Sequence, residues 1–300
     1  MHEIKIGTLL SADNAKEVMP KLIPYGFETF SITFWETAEK FNLEQLAKEI
    51  NEILKGTDCK ISCLSIFGNP LMDTPEGLAS KKSWEMLIEA AELFGTDLVT
   101  GFAGRLIDRP VDESIPKFKE VFTGLAKQAK EKGVRLAFEN CTMDGCWDTG
   151  DWNIAYSPKA WEMMFDAVPF DNVGLQWEPC HQMVQLIDPI PQLRKWVSKI
   201  FSVHGKDATI AWDIIKQQGI YINEQFAWHR TPGFGDSNWV DIITILRMAG
   251  FKGSIDIEGF HDPVYRGELE YTGQVRALKY LKECRGGDFI PNLEHKKVRI

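Results

Sequence analysis

The chain has 300 residues, 44% of them hydrophobic and 26% charged, with a formal net charge of −9 at pH 7. This length and composition suit one large globular domain. The acidic balance disfavours nucleic acid as a partner, and no run approaches the ~20 apolar residues of a membrane span, so we predict a cytoplasmic protein without membrane contact.

Short β-rich runs alternate with longer amphipathic runs along the whole chain. Strands are predicted at residues 4–9, 29–34, 60–66, 98–102, 135–139, 173–177, 200–204 and 254–258. Helices are predicted at residues 43–54, 76–94, 111–132, 158–167, 189–197, 239–249 and 269–283, where apolar residues recur at helical spacing.

Glycines follow several predicted helices and stop them before the next strand, as at Gly133 and Gly250. The alternation implies parallel pairing, and eight units predict an α/β fold, a closed (β/α)8 TIM barrel in a single domain. We assign residues 1–285 to this barrel and residues 286–300 to a C-terminal tail. The alternative, a doubly wound open sheet, normally has a glycine-rich phosphate loop after its first strand, which residues 7–10 do not provide.

Two further features bear on function. Residues 206–228, between the seventh strand and its helix, form a longer connection than usual, so we predict a loop that acts as a lid or specificity element. The six cysteines include no pair at C-x2-C spacing, which predicts free thiols and no structural zinc site. Cys141 and Cys146 follow a strand near the expected active site, but ordinary free cysteines are the favoured interpretation.

Four consecutive predicted strands end in an acid or an imidazole: Glu139, Glu178, His204 and Glu258. A lone glutamate at a strand end is more often a solvated residue than a ligand. In a barrel, however, neighbouring strand ends converge on the C-terminal mouth, where three carboxylates would repel one another. We therefore predict that these four residues bind one divalent metal ion, manganese by preference, with magnesium, cobalt or zinc as alternatives.

These strand ends resemble the xylose isomerase-like barrel superfamily, which includes sugar-phosphate isomerases and epimerases, ketose 3-epimerases, inosose dehydratases and endonuclease IV. The resemblance covers the fifth to eighth strands. Its motifs read Glu139-Asn140, Glu178-Pro179-Cys180-His181, His204-Gly205-Lys206-Asp207, Pro232-Gly233-Phe234-Gly235-Asp236 and Ile257-Glu258.

The resemblance implies roles for individual residues. Glu139, Glu178, His204 and Glu258 would bind the metal, although the family usually has aspartate where this chain has Glu178. Contacts with substrate oxygens are assigned to His181, His229 and Arg230, with Lys206 as a further substrate-binding residue. Lys206, Arg230 and Arg105 are candidates to meet a phosphate, but without a glycine-rich cradle a non-phosphorylated substrate is favoured.

The resulting hypothesis is a sugar isomerase or epimerase that acts on a ketose or polyol ketone. Glu139 and Glu258 would exchange a proton beside a carbonyl through a metal-stabilised enediolate. The main alternative is a lyase of the inosose dehydratase type, or a C-glycoside deglycosidase that works with a small partner subunit; a homo-oligomer is also open. A non-catalytic sugar-binding barrel is a third alternative.

A hydrolase like endonuclease IV is the weakest alternative. That enzyme holds three zinc ions and needs extra histidines on early strands. The predicted second, third and fourth strands end without histidine, and residues 227–229 read Ala-Trp-His where the family has D-x-H.

Overall fold

The computed structural model describes residues 3–291, and ten strands lie within them. In chain order these are β1 (Lys5–Ser11), β2 (Thr29–Trp35), β3 (Lys60–Phe67), β4 (Leu98–Gly101), β5 (Arg135–Glu139), β6 (Val173–Trp177), β7 (Ile200–Gly205), β8 (Asp207–Ile210), β9 (Ala227–Arg230) and β10 (Ser254–Ile257). Eight of them pair in parallel and close a barrel in the order β1-β10-β7-β6-β5-β4-β3-β2. The predicted closed barrel is confirmed, and an open sheet is wrong.

Helices occupy the connections and pack around the barrel. They are α1 (Ala15–Leu22), α2 (Leu43–Leu54), α3 (Pro75–Ala90), α4 (Val111–Glu131), α5 (Pro158–Ala167), α6 (Cys180–Met183), α7 (Pro189–Trp196), α8 (Trp212–Gln218), α9 (Trp239–Met248) and α10 (Glu270–Cys284). The helix starts follow from local chemistry. Asn42 caps α2 by accepting from the Gln45 amide, and Thr74 caps α3 ahead of a proline at the first helical position.

The main apolar core lies between the strands and the surrounding helices. Trp84 of α3 and Phe122 of α4 pack edge to face, with ring centroids 5.4 Å apart, and Phe122 lies 4.8 Å from Phe138 of β5. All three side chains are fully buried. This layer packs against β5 from outside and supports the strand that ends at Glu139.

The inside of the barrel is more polar than the branched apolar filling that is common in this architecture. The Ser65 hydroxyl lies 2.7 Å from that of Thr100 and 3.1 Å from that of Ser31. Gln176 of β6 reaches Cys63 of β3 across the barrel, with Nε2 3.8 Å from Sγ. Hydroxyl, thiol and amide groups therefore contact one another in the barrel interior, although Gln176 Oε1 is buried without a hydrogen-bond partner.

The last helix is tied to the first two strands by Arg285, which follows α10. Its guanidinium donates to the Ile4 carbonyl over 2.7 Å and forms a two-pronged ion pair with Glu28, with N–O distances of 2.5 and 3.1 Å. Burial would raise the pKa of Glu28, but Arg285 and the Ile6 amide lower it. This contact joins the segment after α10 to the segments that lead into β1 and β2.

The structure corrects the prediction of a long loop at residues 206–228. That segment contains β8 and α8 and leads into β9, which pairs antiparallel with β8 from Asp207 opposite Arg230 to Ile210 opposite Ala227. The short helices α1 and α6 were also not predicted. The basic cluster at residues 295–299 lies outside the described residues. Among the helices of residues 3–291, none combines the length and the hydropathy that a membrane span requires.

Candidate metal centre

Four side chains meet at the C-terminal mouth because four adjacent strands deliver them there. Glu139 is the last residue of β5, Glu178 follows β6, His204 lies near the end of β7, and Glu258 follows β10. These strands are consecutive around the barrel, in the order β5-β6-β7-β10. One ligand atom from each of the four residues lies within 4.8 Å of all the others. The structure thus brings together all four predicted metal ligands.

The distances within this cluster indicate that the ligand atoms face a common point. His204 Nδ1 lies 3.2 Å from Glu258 Oε2, 3.7 Å from Glu139 Oε1 and 3.9 Å from Glu178 Oε2. The side chains of His204 and Glu178 are fully buried, and that of Glu258 is only 9% exposed.

The donor atoms of the cluster fit a cation. Both carboxylate oxygens of Glu178, both ring nitrogens of His204 and Glu258 Oε2 are buried without a hydrogen-bond partner. A buried polar atom left without a partner costs about 1–3 kcal/mol, so several together need another source of stabilisation. Carboxylate oxygens with one imidazole form a ligand set that suits a divalent metal ion.

The electrostatics of the cluster reflect this crowding. Burial would lower the pKa of His204, but the carboxylates of Glu139 and Glu258 raise it to about 10. Burial would raise the pKa of Glu258, but Lys206 and His204 hold it well below its usual range. A divalent cation would replace the imidazole proton, because a ligand nitrogen must be unprotonated.

Two asparagines hold the ligand-bearing backbone, and the sequence did not predict their role. Asn140 accepts from the Glu178 amide over 2.7 Å and donates to the Glu178 carbonyl over 3.0 Å. Asn153 donates to the carbonyls of Glu139 and Cys141 over 2.8 and 2.9 Å. Asn140 had a signal in the sequence, because it directly follows Glu139 in the Glu139-Asn140 motif, whereas Asn153 had none.

Three of the four predicted substrate contacts border the cluster. His181 Nε2 is in close contact with Glu178 Oε1. Lys206 is buried and its Nζ donates to Glu258 Oε1 over 2.7 Å. The ring of His229 lies 5.1 Å from that of His181, centroid to centroid. Burial and the charge of Lys206 lower the pKa of His229 to about 4, so its ring is neutral at pH 7.

The two predicted arginines have other partners. Arg230 Nε lies 3.3 Å from Asp262 Oδ2, and no described contact joins Arg230 to the four ligands, so its substrate role stays a prediction. Arg105 is fully buried and donates to the carbonyls of Arg109, Cys146 and Trp147. It is therefore a structural residue that folds the segment after β5.

Other motif residues shape the rim. Asp207 accepts from the Ala208 and Ser237 amides and from Trp239 Nε1, at 2.8, 2.9 and 3.2 Å. A Cβ on Gly235 would come within 2.5 Å of Asp207 Oδ1, so the glycine is required for this close approach. His261 also lies against His229, with ring centroids 5.7 Å apart.

Comparison with known proteins agrees with this fold. The uncharacterized protein YfiH of Bacillus subtilis is 24% identical over 295 residues, covering 85% of this chain and 90% of that protein. An inosose dehydratase of Clostridium tetani is 27% identical over 190 residues, which cover 59% of each chain.

Two solved structures share the architecture. The apo form of the Escherichia coli 3-keto-D-glucoside 4-epimerase YcjR matches with a TM-score of 0.68 at 17% identity, covering 94% of this chain and 100% of that one. The IolI protein with a bound zinc atom matches with a TM-score of 0.64 at 18% identity, covering 94% and 96%. A family model described as xylose isomerase-like TIM barrel matches residues 22–284, and the chain belongs to that family.

Proposed function

We propose that this protein is a metal-dependent isomerase or epimerase that moves a proton at a carbon beside the carbonyl of a sugar or polyol-derived ketone. The observation that carries the proposal is the group of three buried carboxylates and one imidazole with ligand atoms within 4.8 Å of one another. Glu139, Glu178, His204 and Glu258 would hold the ion. When bound, a divalent ion polarises a carbonyl and stabilises the negative charge that develops on its oxygen.

The proposed proton carriers are Glu139 and Glu258. They come from β5 and β10, the two outer strands of the four that carry ligands, so they approach the mouth from different directions. One carboxylate would remove the proton and the other would return it. Lys206 orients Glu258 through their 2.7 Å contact, and its charge keeps the carboxylate ionised against the effect of burial.

The remaining residues would bind the substrate. His181 and His229 are neutral imidazoles, which can donate to or accept from hydroxyl groups. Arg230 is oriented by Asp262, whose Oδ2 lies 3.3 Å from Arg230 Nε. The names of the relatives support this substrate class, since they include an inosose dehydratase and a 3-keto-D-glucoside 4-epimerase. The zinc atom in the IolI structure supports a metal in this fold.

A lyase is the second candidate, and the similarity to inosose dehydratases favours it. Removal of the same proton would then be followed by loss of the hydroxyl at the next carbon. The same residues serve both reactions up to that point. The fate of the substrate, rather than the architecture of the site, therefore separates the two candidates.

Nuclear magnetic resonance in D2O separates them experimentally. The protein, loaded with Mn²⁺, Mg²⁺, Co²⁺ or Zn²⁺, is incubated with ketoses, 3-keto-glucosides and inososes, and the paramagnetic metals are removed before spectra are recorded. Incorporation of deuterium without loss of water is the expected result. A new enone signal would identify the lyase, and no exchange with any ketone despite bound metal would contradict both.

Substitution of each proposed proton carrier tests the residue roles. Glu139→Gln and Glu258→Gln are expected to slow exchange by about 10²- to 10⁴-fold, the usual contribution of a positioned acid or base. Glu76→Gln, at an exposed position of α3, is the matched control. Metal content is measured for each variant. Full turnover by either variant with metal still bound would refute the two-carboxylate scheme.

A further inference from the structure

A pair of tryptophans lies at the barrel mouth, outside the set of residues that the proposed reaction uses. Trp35 is the last residue of β2, and Trp152 lies in the irregular segment between β5 and α5. Their ring centroids are 5.6 Å apart, and their ring planes are inclined by 38°. Trp35 is 54% exposed, so its ring does not fill the apolar core. Exposed aromatic surface at the C-terminal mouth of a barrel lies where ligand-binding side chains are expected.

The tryptophan pair is connected to the proposed metal centre through Phe67. Trp35 pairs in register with Phe67, the last residue of β3, so both side chains point to the inner face of the barrel. The Phe67 ring lies 6.5 Å from that of His204. Because neighbouring strands are about 4.8 Å apart, the pair lies on the order of 10 Å from this metal ligand. That position is one ring further out than a sugar held at the metal.

The backbone on both sides of Trp152 is held by asparagine side chains. Asn69, which follows β3, donates to the Asp151 carbonyl over 2.6 Å. Asn153 donates to the Glu139 carbonyl over 2.8 Å, so the residue after Trp152 is tied to the backbone of a proposed metal ligand. The position of the Trp152 ring is therefore fixed relative to the metal centre, as a ligand-binding side chain requires.

The backbone after Trp35 is also held in place, and it adopts an unusual conformation. Glu36 has a φ of 60°, in the left-handed region that few residues other than glycine adopt. Its amide donates to the Phe67 carbonyl over 2.9 Å, which joins the end of β2 to the end of β3. Conformations of this kind concentrate at ligand-binding sites, where surrounding contacts maintain them.

The groups beside the tryptophan pair indicate the chemistry of its ligand. Glu36 follows Trp35 and Asp151 precedes Trp152, and both acidic residues are exposed. Carboxylates accept hydrogen bonds from hydroxyl groups, and aromatic rings pack against apolar surface. A sugar ring offers both features, because its C–H groups form an apolar face and its hydroxyl groups lie around the edge. A purely aromatic ring would leave the carboxylates without a donor.

We propose that Trp35 and Trp152 form a subsite for a second sugar ring, so that the substrate is a glycoside whose reacting ring lies at the metal centre. This assignment rests on the proposed function and narrows its substrate class from a single sugar to two linked rings. The second ring packs its C–H face on the tryptophan pair and donates hydroxyl hydrogens to Glu36 and Asp151. No bond forms or breaks there, so the subsite contributes binding and specificity alone.

Calorimetric titration of the whole protein in the presence of Mn²⁺ tests the subsite without turnover. Glucose is compared with maltose, cellobiose and trehalose, which present a second ring through three different linkages. We expect at least one disaccharide to bind about tenfold more tightly than glucose. Trp35→Ala and Trp152→Ala should each remove this gain, whereas Trp35→Phe, which keeps an aromatic face, should retain most of it. Circular dichroism confirms that each variant is folded.

Tyr25→Ala is the matched control for these variants. Tyr25 is an aromatic residue that is 59% exposed, and it precedes the start of β2, at the end of the barrel opposite the mouth. Its substitution should leave the gain for the disaccharide unchanged. A gain that is absent for all three disaccharides, or that survives both alanine substitutions at the tryptophans, would overturn the proposal. Tighter binding of phenyl glucoside than of every disaccharide would also overturn it, because the ligand would then be an aromatic group.

Turnover provides a second readout and separates the subsite from the proposed reaction. With the 3-keto derivatives of glucose and of the tightest-binding disaccharide, the wild type should prefer the disaccharide in kcat/KM, and Trp35→Ala should reduce that preference by about tenfold. If the disaccharide gains affinity but neither ketone exchanges deuterium, the proposed function fails and the subsite stands. If both ketones exchange with no preference in the wild type, the subsite fails and the proposed function stands.

Discussion

The two halves of the barrel share the same alternation of strands and helices, but the residues at their strand ends differ. β1, β2, β3 and β4 end at Ser11, Trp35, Phe67 and Gly101, whereas the four strands that follow them around the ring deliver three glutamates and a histidine. The halves also meet, because the Phe67 ring lies 6.5 Å from that of His204. One half therefore supplies charge and donor atoms, and the other supplies an aromatic wall.

The difference is also energetic. In the first half, the buried side-chain atoms without a hydrogen-bond partner are neutral, namely Ser62 Oγ, Ser80 Oγ and Trp84 Nε1. In the second half, donor atoms of Glu178, His204 and Glu258 are buried without such partners. We infer that the second half depends on a bound ion for part of its stability.

The largest expected effect is stabilisation by metal. Mn²⁺ at 100 times its dissociation constant should raise the free energy of unfolding by about 2.7 kcal/mol, because only the folded chain assembles the ligands. Calorimetric melting with and without Mn²⁺ measures this. His204→Ala should abolish the metal-dependent shift, and Trp35→Ala should keep it. Equal melting temperatures with metal and with chelator would contradict the inference that the second half depends on a bound ion for its stability.

A smaller effect is expected for the asparagine that supports Glu178. Asn140→Ala should lower the free energy of unfolding by about 2 kcal/mol, because a buried amide and a carbonyl lose their partner. It should also weaken metal binding by about 10- to 100-fold. Urea unfolding and calorimetric titration measure the two effects.

Asn172 provides the matched control for that variant. It is also buried, and it donates to the carbonyls of Ala126 and Val134, next to the start of β5 rather than its end. Asn172→Ala should lower stability and leave metal affinity unchanged. If Asn140→Ala and Asn172→Ala weaken metal binding equally, Asn140 does not support the metal centre specifically.

The smallest of these effects concerns Glu28, in the half without ligands. Its folded pKa lies below the usual 4.5, so the stability it provides is present above that pH and is lost as pH falls through the folded pKa. Glu28→Gln should cost about 1–2 kcal/mol at pH 7, a figure that allows for partial exposure. The difference from wild type should shrink below about pH 4.5, as measured by urea unfolding across pH. A difference that is constant with pH would exclude ionised Glu28 as the cause.

Local patterns predicted most of the barrel. The bounds predicted for β5, β6, α2 and α5 are those observed, because apolar periodicity and flanking caps mark these elements within a few residues. The antiparallel pair β8 and β9 was missed because each strand has four residues and residues 211–226 separate the two. α1 was missed because it is short and contains Pro20, which disfavours a helix interior.

The candidate centre was predictable to the extent that strand ends are visible in the sequence. Glu139, Glu178, His204 and Glu258 each follow an apolar run, so barrel geometry alone predicts that they converge. The support from Asn153 was not predictable, because the residue lies in an irregular segment whose path depends on tertiary contacts. The engagement of Arg230 with Asp262 is likewise a contact between distant segments.

The pairing of β1 with β10 closes the barrel, and it can form only late in the synthesis of the chain. β1 pairs with β10 as well as with β2, so the first strand cannot complete its hydrogen bonds until residue 257 has been synthesised. The Arg285 contact with Ile4 requires nearly 30 residues more. A nascent chain therefore carries an unclosed sheet through most of translation, and metal capture, which needs residues as far apart as 139 and 258, becomes one of the last events in its maturation.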